Sequence, residues 1–147
     1  MTEARDLRRD DYPYIISVPT RWNDNDMLGH VNNVVFYRYI EAVVVRFLME
    51  EAGLDWLKDP VIPYAAEILC RFHRPLSFPD DVAAALKVDR LGPRSVTFGI
   101  ALFSGDQPSP AATGHFVHVF VERQSEEPTV IPAAIRAVFE RTAGGKG

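Results

Sequence analysis

Four residues that can take part in catalysis precede the longest apolar segment of the chain: Asp24, Asp26, Gly29 and His30. Asn32 and Asn33 follow, and because asparagine is a favoured N-cap residue, a helix is predicted to begin at or just after them. The first amides of a helix are unpaired donors with positive partial charge, so they can polarise a carbonyl group as an oxyanion hole does. A carboxylate facing that carbonyl would serve as a nucleophile or as a general base for water.

Gly29 fits this chemistry, because a residue without Cβ lets a ligand approach the backbone closely. Such a site suits thioester cleavage: a simple thiol has a pKa of about 8.5, so a thiolate leaves without a strong general acid. An aspartate before a helix is more often only a cap or a turn former. His30 would then be a first-turn residue bonded to solvent or to the loop. The residues alone therefore predict a carbonyl-polarising helix terminus and leave both interpretations open.

The segment from Val34 to Met49 is the element that must position these residues. It is apolar on nearly all sides, which is typical of a buried helix, although its run of valines would also suit a strand. Its length favours a helix, because strands seldom exceed about 10 residues. Gly53 marks its predicted end. About 20 residues of helix span roughly 30 Å, so we expect the rest of the chain to wrap around it.

The remaining segments predict an antiparallel sheet. Strands are predicted over 12–20, 64–72, 81–91, 95–103 and 113–122. The first precedes the long helix, and a connecting loop over 54–63 separates the helix from the other four. Prolines near its ends make the first strand an edge strand, and a short helix over 132–141 closes the chain. This order is typical of an α+β fold in which a curved antiparallel sheet wraps around one helix. The exposed edge or face of such a sheet favours a homo-oligomer.

The composition excludes several other classes of protein. The 147 residues predict one domain, 1–147, with 1–11 and 142–147 as flexible tails. A net charge of −4 argues against a bare nucleic-acid binder. No apolar run reaches the ~18 residues of a membrane span, and the charged N-terminus is unlike a signal peptide, so we expect a cytoplasmic protein. Cys70 is the lone cysteine, which excludes a disulfide framework and predicts a buried, inert thiol. His115 and His118 fall on opposite faces of a strand and offer no metal site.

The stretch D-N-D-M-L-G-H-V-N-N-V-V-F-Y-R-Y-I-E (24–41) resembles the signature of hotdog-fold thioesterases of the 4-hydroxybenzoyl-CoA thioesterase type. Its D-x-x-x-H-V-N-N core is also similar to that of acyl-carrier-protein thioesterases. The resemblance continues through 71–82, 91–96 and 131–136 and covers most of the chain in the same order. It implies the hotdog fold and an acyl-CoA thioesterase that works as a homodimer or homotetramer, without a metal or a redox cofactor.

The resemblance also implies roles for individual residues. Asp26 corresponds to the catalytic carboxylate, the amides after Gly29 polarise the thioester carbonyl, and His30 orients water or the carboxylate. Asn32 and Asn33 shape the site from either side of a dimer interface, or act only as caps. Glu41, farther along the helix, is expected to form a buried pair with a basic residue.

A CoA or carrier-protein substrate needs cations for its phosphates, and arginine binds phosphate bidentately. Arg74, Arg94 and the adjacent Ser95 are therefore candidate substrate-binding residues, although a solvated arginine is the usual case. Arg71 and Arg90 also lie near predicted strand ends.

The chain departs from the family pattern at Phe36, where tyrosine is common, at Val44, where arginine is common, and at Pro79, where glycine is usual. These departures leave pocket shape and acyl preference open. Two alternative functions also remain: a non-catalytic binder of acyl-CoA or acyl carrier protein, and a hotdog dehydratase or hydratase acting on a 3-hydroxyacyl thioester. The sequence does not choose between CoA and carrier protein.

Overall fold

The computed structural model describes residues 3–143, which form a five-stranded antiparallel sheet and two helices. The sheet has the order β1-β3-β4-β5-β2, so β1 and β2 are its edges. Its strands are β1 (Tyr14–Pro19), β2 (Val61–Phe72), β3 (Asp81–Leu91), β4 (Ser95–Ser104) and β5 (Ala112–Glu122). The helices are α1 (Asn33–Arg46), continued by a π-helical turn (Phe47–Glu51), and α2 (Ala133–Arg141). The predicted curved sheet around one long helix is confirmed.

The helix α1 begins where the sequence predicts. Asn32 caps it, because its side-chain oxygen accepts a hydrogen bond from the Val34 N–H at 2.9 Å. One face of the helix packs on the sheet and forms the core together with inward-facing strand residues. The helix contributes Phe36, Tyr39, Ile40, Val43 and Val44 to this core.

The helix is buried on the face that the sheet covers. On its other side Val34 is 73% exposed and Met49 is 50% exposed, because the sheet of a single chain covers one face of the helix only. Glu41 also lies on the uncovered side, where it is exposed and forms no ion pair within residues 3–143. The expected buried pair for Glu41 is therefore wrong. Val44 is fully buried, which explains why an arginine would not fit there.

Most strand boundaries agree with the prediction to within two residues, but β2 begins earlier. It starts at Val61 instead of 64 and contains Pro63, which the sequence assigned to a loop. A proline is tolerated here because β2 is an edge strand, where a missing N–H need not break a ladder on both sides.

The described parts of the predicted tails pack on the sheet. The guanidinium of Arg9 lies 4.9 Å from the ring centroid of Phe103 on β4. At the other end, the Val88 N–H donates to the carbonyl of Thr142 at 2.9 Å, and Thr142 is buried. Residues within 3–11 and 142–143 thus contact the sheet, and residues 1–2 and 144–147 lie outside the described residues; the flexibility of the tails stays a prediction.

Two titratable side chains on β2 and β5 have perturbed pKa values. Burial raises the pKa of the half-buried Cys70 thiol to about 11, which supports the predicted inert thiol. His118 is buried on the inner face of β5, tilted against Phe116 with ring centroids 4.5 Å apart, and burial lowers its pKa to about 4. His115 lies on the opposite face and bonds to Glu67 at 2.8 Å, as the strand period predicts.

The buried histidine makes stability depend on pH. Between the ordinary histidine pKa of about 6.5 and the folded value of about 4, the unfolded chain binds a proton at His118 that the folded chain does not. The free energy of unfolding therefore falls as the pH drops through this window, by roughly 2 kcal/mol between pH 7 and pH 5. Urea unfolding at several pH values should show a smaller loss in His118→Phe than in the wild type. Equal slopes in the two proteins would contradict the prediction.

Candidate active site

The loop that precedes α1 is a closed hairpin. Asn25 and Val31 form an antiparallel bridge, and between them the Asp26 N–H donates to the His30 carbonyl at 2.7 Å. The Gly29 N–H donates to the Asp26 carbonyl at 3.0 Å. Gly29 has φ +83°, a backbone conformation that favours glycine, so this residue is required by the turn itself.

The hairpin is attached to the segment that follows β2. The Val31 N–H donates to the carbonyl of Leu76 at 2.7 Å, and Asn25 Oδ1 accepts from the Phe78 N–H at 3.1 Å. These bonds join two segments that lie far apart in sequence: Asn25 and Phe78 are separated by 53 residues. The residues at the end of β2 are thereby held next to the hairpin.

The Asp26 carboxylate is half-buried and only partly occupied by hydrogen bonds. Its Oδ1 accepts from the Leu28 N–H at 2.9 Å, which fixes the side chain in an Asx turn. Its Oδ2 accepts no hydrogen bond from residues 3–143. One oxygen therefore sets the orientation of the carboxylate, and the other is available to a reacting group.

Two backbone amides near Asp26 are free donors. The Asn32 side chain and carbonyl take up the amides of Val34 and Val35, each at 2.9 Å. The His30 and Asn33 amides donate no hydrogen bond within the described part of the chain. Since the Asn33 amide lies at the positive end of α1, it has the donor character predicted for a carbonyl-polarising group.

A cavity of about 470 Å³ collects most of the predicted site residues. One of its walls is apolar, because Phe36 on α1 meets Phe72 on β2 edge-to-face with ring centroids 5.0 Å apart. Gly29 shapes the hairpin and does not line this cavity. The lining residues are Asp26, Leu28, His30, Val31, Asn32, Asn33, Phe36, Phe72, His73, Arg74 and Pro75.

Arg74 brings a cation to this cavity. Its guanidinium donates to Ser109 Oγ at 2.6 Å and to Gln107 Oε1 at 3.4 Å. Both acceptors are neutral, and no carboxylate of residues 3–143 forms an ion pair with Arg74. Its charge is thus available to a ligand anion.

His73 is a cavity residue to which the sequence assigns no role. Its Nε2 lies 2.8 Å from Thr113 Oγ1. Burial lowers its pKa, and the charges of Arg5, Arg71 and Arg74 lower it further, so the imidazole is neutral at neutral pH. The sequence feature that could have identified His73 as a site residue is its position beside Arg74, directly after β2.

Arg94 and Ser95 are not brought together with Asp26. Ser95 begins β4 and pairs with Val119, whereas the cavity lies near the other end of this ladder, where Leu102 pairs with Ala112. Seven residue steps separate Ser95 from Leu102 along β4, about 23 Å at the usual rise per residue. Within one chain, Arg94 and Ser95 thus lie at the far end of the sheet.

Asp24 differs sharply from Asp26, although their spacing alone does not distinguish them. It is 1% exposed. Burial acts to raise its pKa, but hydrogen bonds from Tyr39, from the Arg21 backbone and from Arg38 outweigh burial and lower the pKa below its ordinary value. Asp24 is therefore an ionised, fully engaged carboxylate, whereas Asp26 keeps one oxygen available.

With this geometry in place, comparison with known proteins identifies the family. The profile of the thioesterase-like superfamily matches residues 20–139. The chain belongs to this superfamily. The predicted family, hotdog-fold thioesterases of the 4-hydroxybenzoyl-CoA thioesterase type, is confirmed, and so is the enzyme class, a thioester hydrolase. No curated protein sequence matches the chain.

Solved structures agree with this family assignment. The PA5185 protein from Pseudomonas aeruginosa is 38% identical, with 95% of this chain and 98% of that chain covered and a TM-score of 0.90. A thioesterase from Thermus thermophilus, complexed with coenzyme A and Zn, is 29% identical over 87% of this chain and 98% of that chain, with a TM-score of 0.75. A 1,4-dihydroxy-2-naphthoyl-CoA thioesterase from Synechocystis is 12% identical over 86% and 94%, with a TM-score of 0.78, and shares the fold.

Two further observations concern metal and membrane. Residues 3–143 contain no group of three or more His, Cys, Asp or Glu side chains placed to hold a metal ion. None of the helices in the same range has the length and apolar character that crossing a bilayer requires.

Proposed function

We propose that this thioesterase hydrolyses an acyl-CoA to a free acid and CoA, with Asp26 as the catalytic carboxylate. The observation that carries the proposal is the cavity lined jointly by Asp26, whose Oδ2 is available, and by His30 and Asn33, whose amides are free donors. A similar protein that was solved with coenzyme A supports CoA as the thiol part of the substrate. A cytoplasmic location stays a prediction of the sequence.

The chemistry needs one carboxylate and one pair of donors. The amides of His30 and Asn33 hydrogen-bond the thioester oxygen and stabilise the negative charge that develops on it. Asp26 either takes a proton from a water that attacks the acyl carbon, or attacks that carbon itself, so that the C–S bond breaks and a mixed anhydride forms, which water then hydrolyses. In the first route the tetrahedral intermediate collapses, the C–S bond breaks, and the departing thiolate takes up the proton that Asp26 holds. No stronger acid is needed, because a thiol has a pKa of about 8.5.

Polar residues around the cavity would hold the rest of the substrate. Arg74 is the candidate for a phosphate of CoA, because its charge has only neutral partners. Phe36 and Phe72 form the apolar wall against which an acyl group would pack. His30 and Asn32 complete the polar part of the lining.

We also propose that the working unit is a homodimer joined along β2. This strand is an open edge of the sheet, and its side chains Tyr64, Ile68 and Phe72 are exposed, as is Val34 on α1. Antiparallel pairing of two β2 strands about a two-fold axis would place the start of one beside the end of the other. The end of the partner's sheet that carries Arg94 would then lie beside the cavity.

Mixing two variants, each impaired at a different residue of the proposed shared site, tests this arrangement. Arg94→Ala is expected to raise KM for acyl-CoA by about 10-fold, through loss of a phosphate contact. Equal mixing with Asp26→Asn, after unfolding and refolding together, should restore about a quarter of wild-type activity at low substrate, because half of the dimers are hybrids with one intact site. No restoration would contradict a site shared between subunits. A wild-type KM in Arg94→Ala would contradict the role of Arg94.

Thiol release from a panel of acyl-CoAs tests the function itself. Short, long and aromatic acyl-CoAs are offered to the wild type, and free CoA is measured with a thiol reagent. Release above the uncatalysed rate supports the proposal, and the best substrate identifies the acyl class. Binding of acyl-CoA without thiol release would overturn it in favour of the non-catalytic binder. Hydrolysis of acyl carrier protein substrates alone would overturn CoA as the thiol.

A further inference from the structure

Asp24 contacts both the loop and the helix of the site. Its Oδ2 accepts from the Tyr39 hydroxyl at 2.7 Å and from the Arg21 N–H at 2.9 Å, and its Oδ1 accepts from the guanidinium of Arg38. Arg38 and Tyr39 lie in the second turn of α1. The side chain of Asp24 thus ties the residue just before the catalytic hairpin to the body of the helix that follows it.

The main chain of Asp24 closes the same unit. Its carbonyl accepts from the N–H of Asn32, the N-cap of α1, at 2.9 Å. This hydrogen bond therefore joins the two ends of the hairpin over 25–31, at Asp24 and at Asn32. Because Asp26 lies two residues after Asp24, a shift or rotation of Asp24 would be passed directly to the catalytic carboxylate.

Stability is not the only effect of this arrangement. Removing the Asp24 carboxylate from water is costly, and its three hydrogen-bonded partners outweigh that cost, as its lowered pKa shows. Arg38 remains 46% exposed while Asp24 is 1% exposed, so the carboxylate carries most of the desolvation cost. What the three hydrogen-bonded partners supply is direction: donors from α1 and from the chain before the hairpin fix both carboxylate oxygens.

We propose that Asp24 is a positioning residue for thioester hydrolysis, which with Arg38 and Tyr39 holds the hairpin so that the Asp26 carboxylate faces the bound thioester. The inference rests on the proposed role of Asp26 in catalysis. Asp24, the first aspartate of D-N-D, would thus act through Asp26 and would not itself contact the substrate.

Three substitutions give graded tests. Asp24→Asn keeps the size and the main-chain bond to Asn32 but removes the charge, and is expected to lower kcat by about 10- to 100-fold, since a misplacement of about 1 Å can cost that much. KM should stay within about 3-fold, because Asp24 does not touch substrate. Tyr39→Phe removes one donor and should lower kcat by less than about 10-fold. Arg38→Met keeps the apolar stem and should fall between them.

Double substitution separates positioning from general damage. In an Asp26→Asn background the carboxylate that Asp24 positions is gone, so adding Asp24→Asn should lower the residual rate by less than about 3-fold. Asp106→Asn, the same change at an exposed loop residue, should leave kcat unchanged. Urea unfolding of each protein sets an assay temperature at which all are folded, and Tyr39→Phe and Arg38→Met serve if Asp24→Asn does not fold.

The outcomes are distinguishable. Full kcat in Asp24→Asn, or an equal fall in both backgrounds, would overturn the positioning role. A lower kcat in the single variants with little further effect beside Asp26→Asn would support it. Full activity in Asp26→Asn itself would instead overturn the proposed function, since the carboxylate to be positioned would not matter.

Discussion

Replacing Asp26 by asparagine is expected to lower kcat for acyl-CoA hydrolysis by about 100-fold or more. Asparagine has the size of aspartate, but its neutral amide is neither a base for water nor a nucleophile. Its side-chain oxygen can still accept from the Leu28 N–H, so the turn of the hairpin should survive. KM should change little, because the negative charge that the substitution removes acts in the transition state and not in substrate binding. Steady-state thiol release on the best substrate of the panel measures both quantities.

Two controls make the result specific to Asp26. Asp106→Asn removes the same charge from an exposed loop outside the cavity and should leave kcat unchanged. Calorimetric titration of Asp26→Asn with CoA should return the wild-type affinity, which shows that binding is intact. A variant that retains more than about a tenth of wild-type kcat would rule out a carboxylate-driven mechanism, since general base catalysis alone contributes about 100-fold or more.

The sequence predicts where the helix of the site begins, but not the contacts that hold the preceding loop in place. Asn32 and Asn33 indicate the helix start because capping is a local rule, and the structure places that start at Asn33. The difference between Asp24 and Asp26 is not local. It arises because Arg38 and Tyr39 return to Asp24 after a turn of helix, and spacing alone does not show which carboxylate they meet.

The sequence also does not predict which faces of the helix are covered, or by what. An apolar helix predicts burial, but it does not say whether the chain's own sheet or another copy covers each face. Val34 and Met49 are apolar yet exposed in the single chain. The same limit applies to Arg94: the need of a CoA substrate for cations makes it a candidate substrate-binding residue, whereas the register of β4 places it at the far end of its own sheet.

Gly114→Ala is expected to destabilise the fold by about 3 kcal/mol or more, at the upper end of overpacking effects. Gly114 lies on β5 opposite Cys70 of β2. A Cβ at this position would overlap the backbone carbonyl oxygen of Leu69, and a backbone atom in a paired strand cannot move without loss of ladder hydrogen bonds. The free energy of unfolding, measured by urea titration, should fall accordingly. The end of β2 carries Phe72 into the cavity, so thiol release should fall as well.

Gly99→Ala is the matched control for this prediction. Gly99 is also a strand glycine, on the neighbouring β4, but the three atoms nearest to an added Cβ there all belong to the side-chain carboxylate of Asp89. That side chain is 38% exposed, so it can rotate away with the loss of a surface ion pair to Lys87, and the expected cost is below about 1 kcal/mol. Both substitutions reduce the entropy of the unfolded chain equally, so their difference isolates the clash in the folded state. Equal stabilities of the two variants would mean that β2 can move away from β5 at little cost, and that the edge strand does not hold the cavity wall in place.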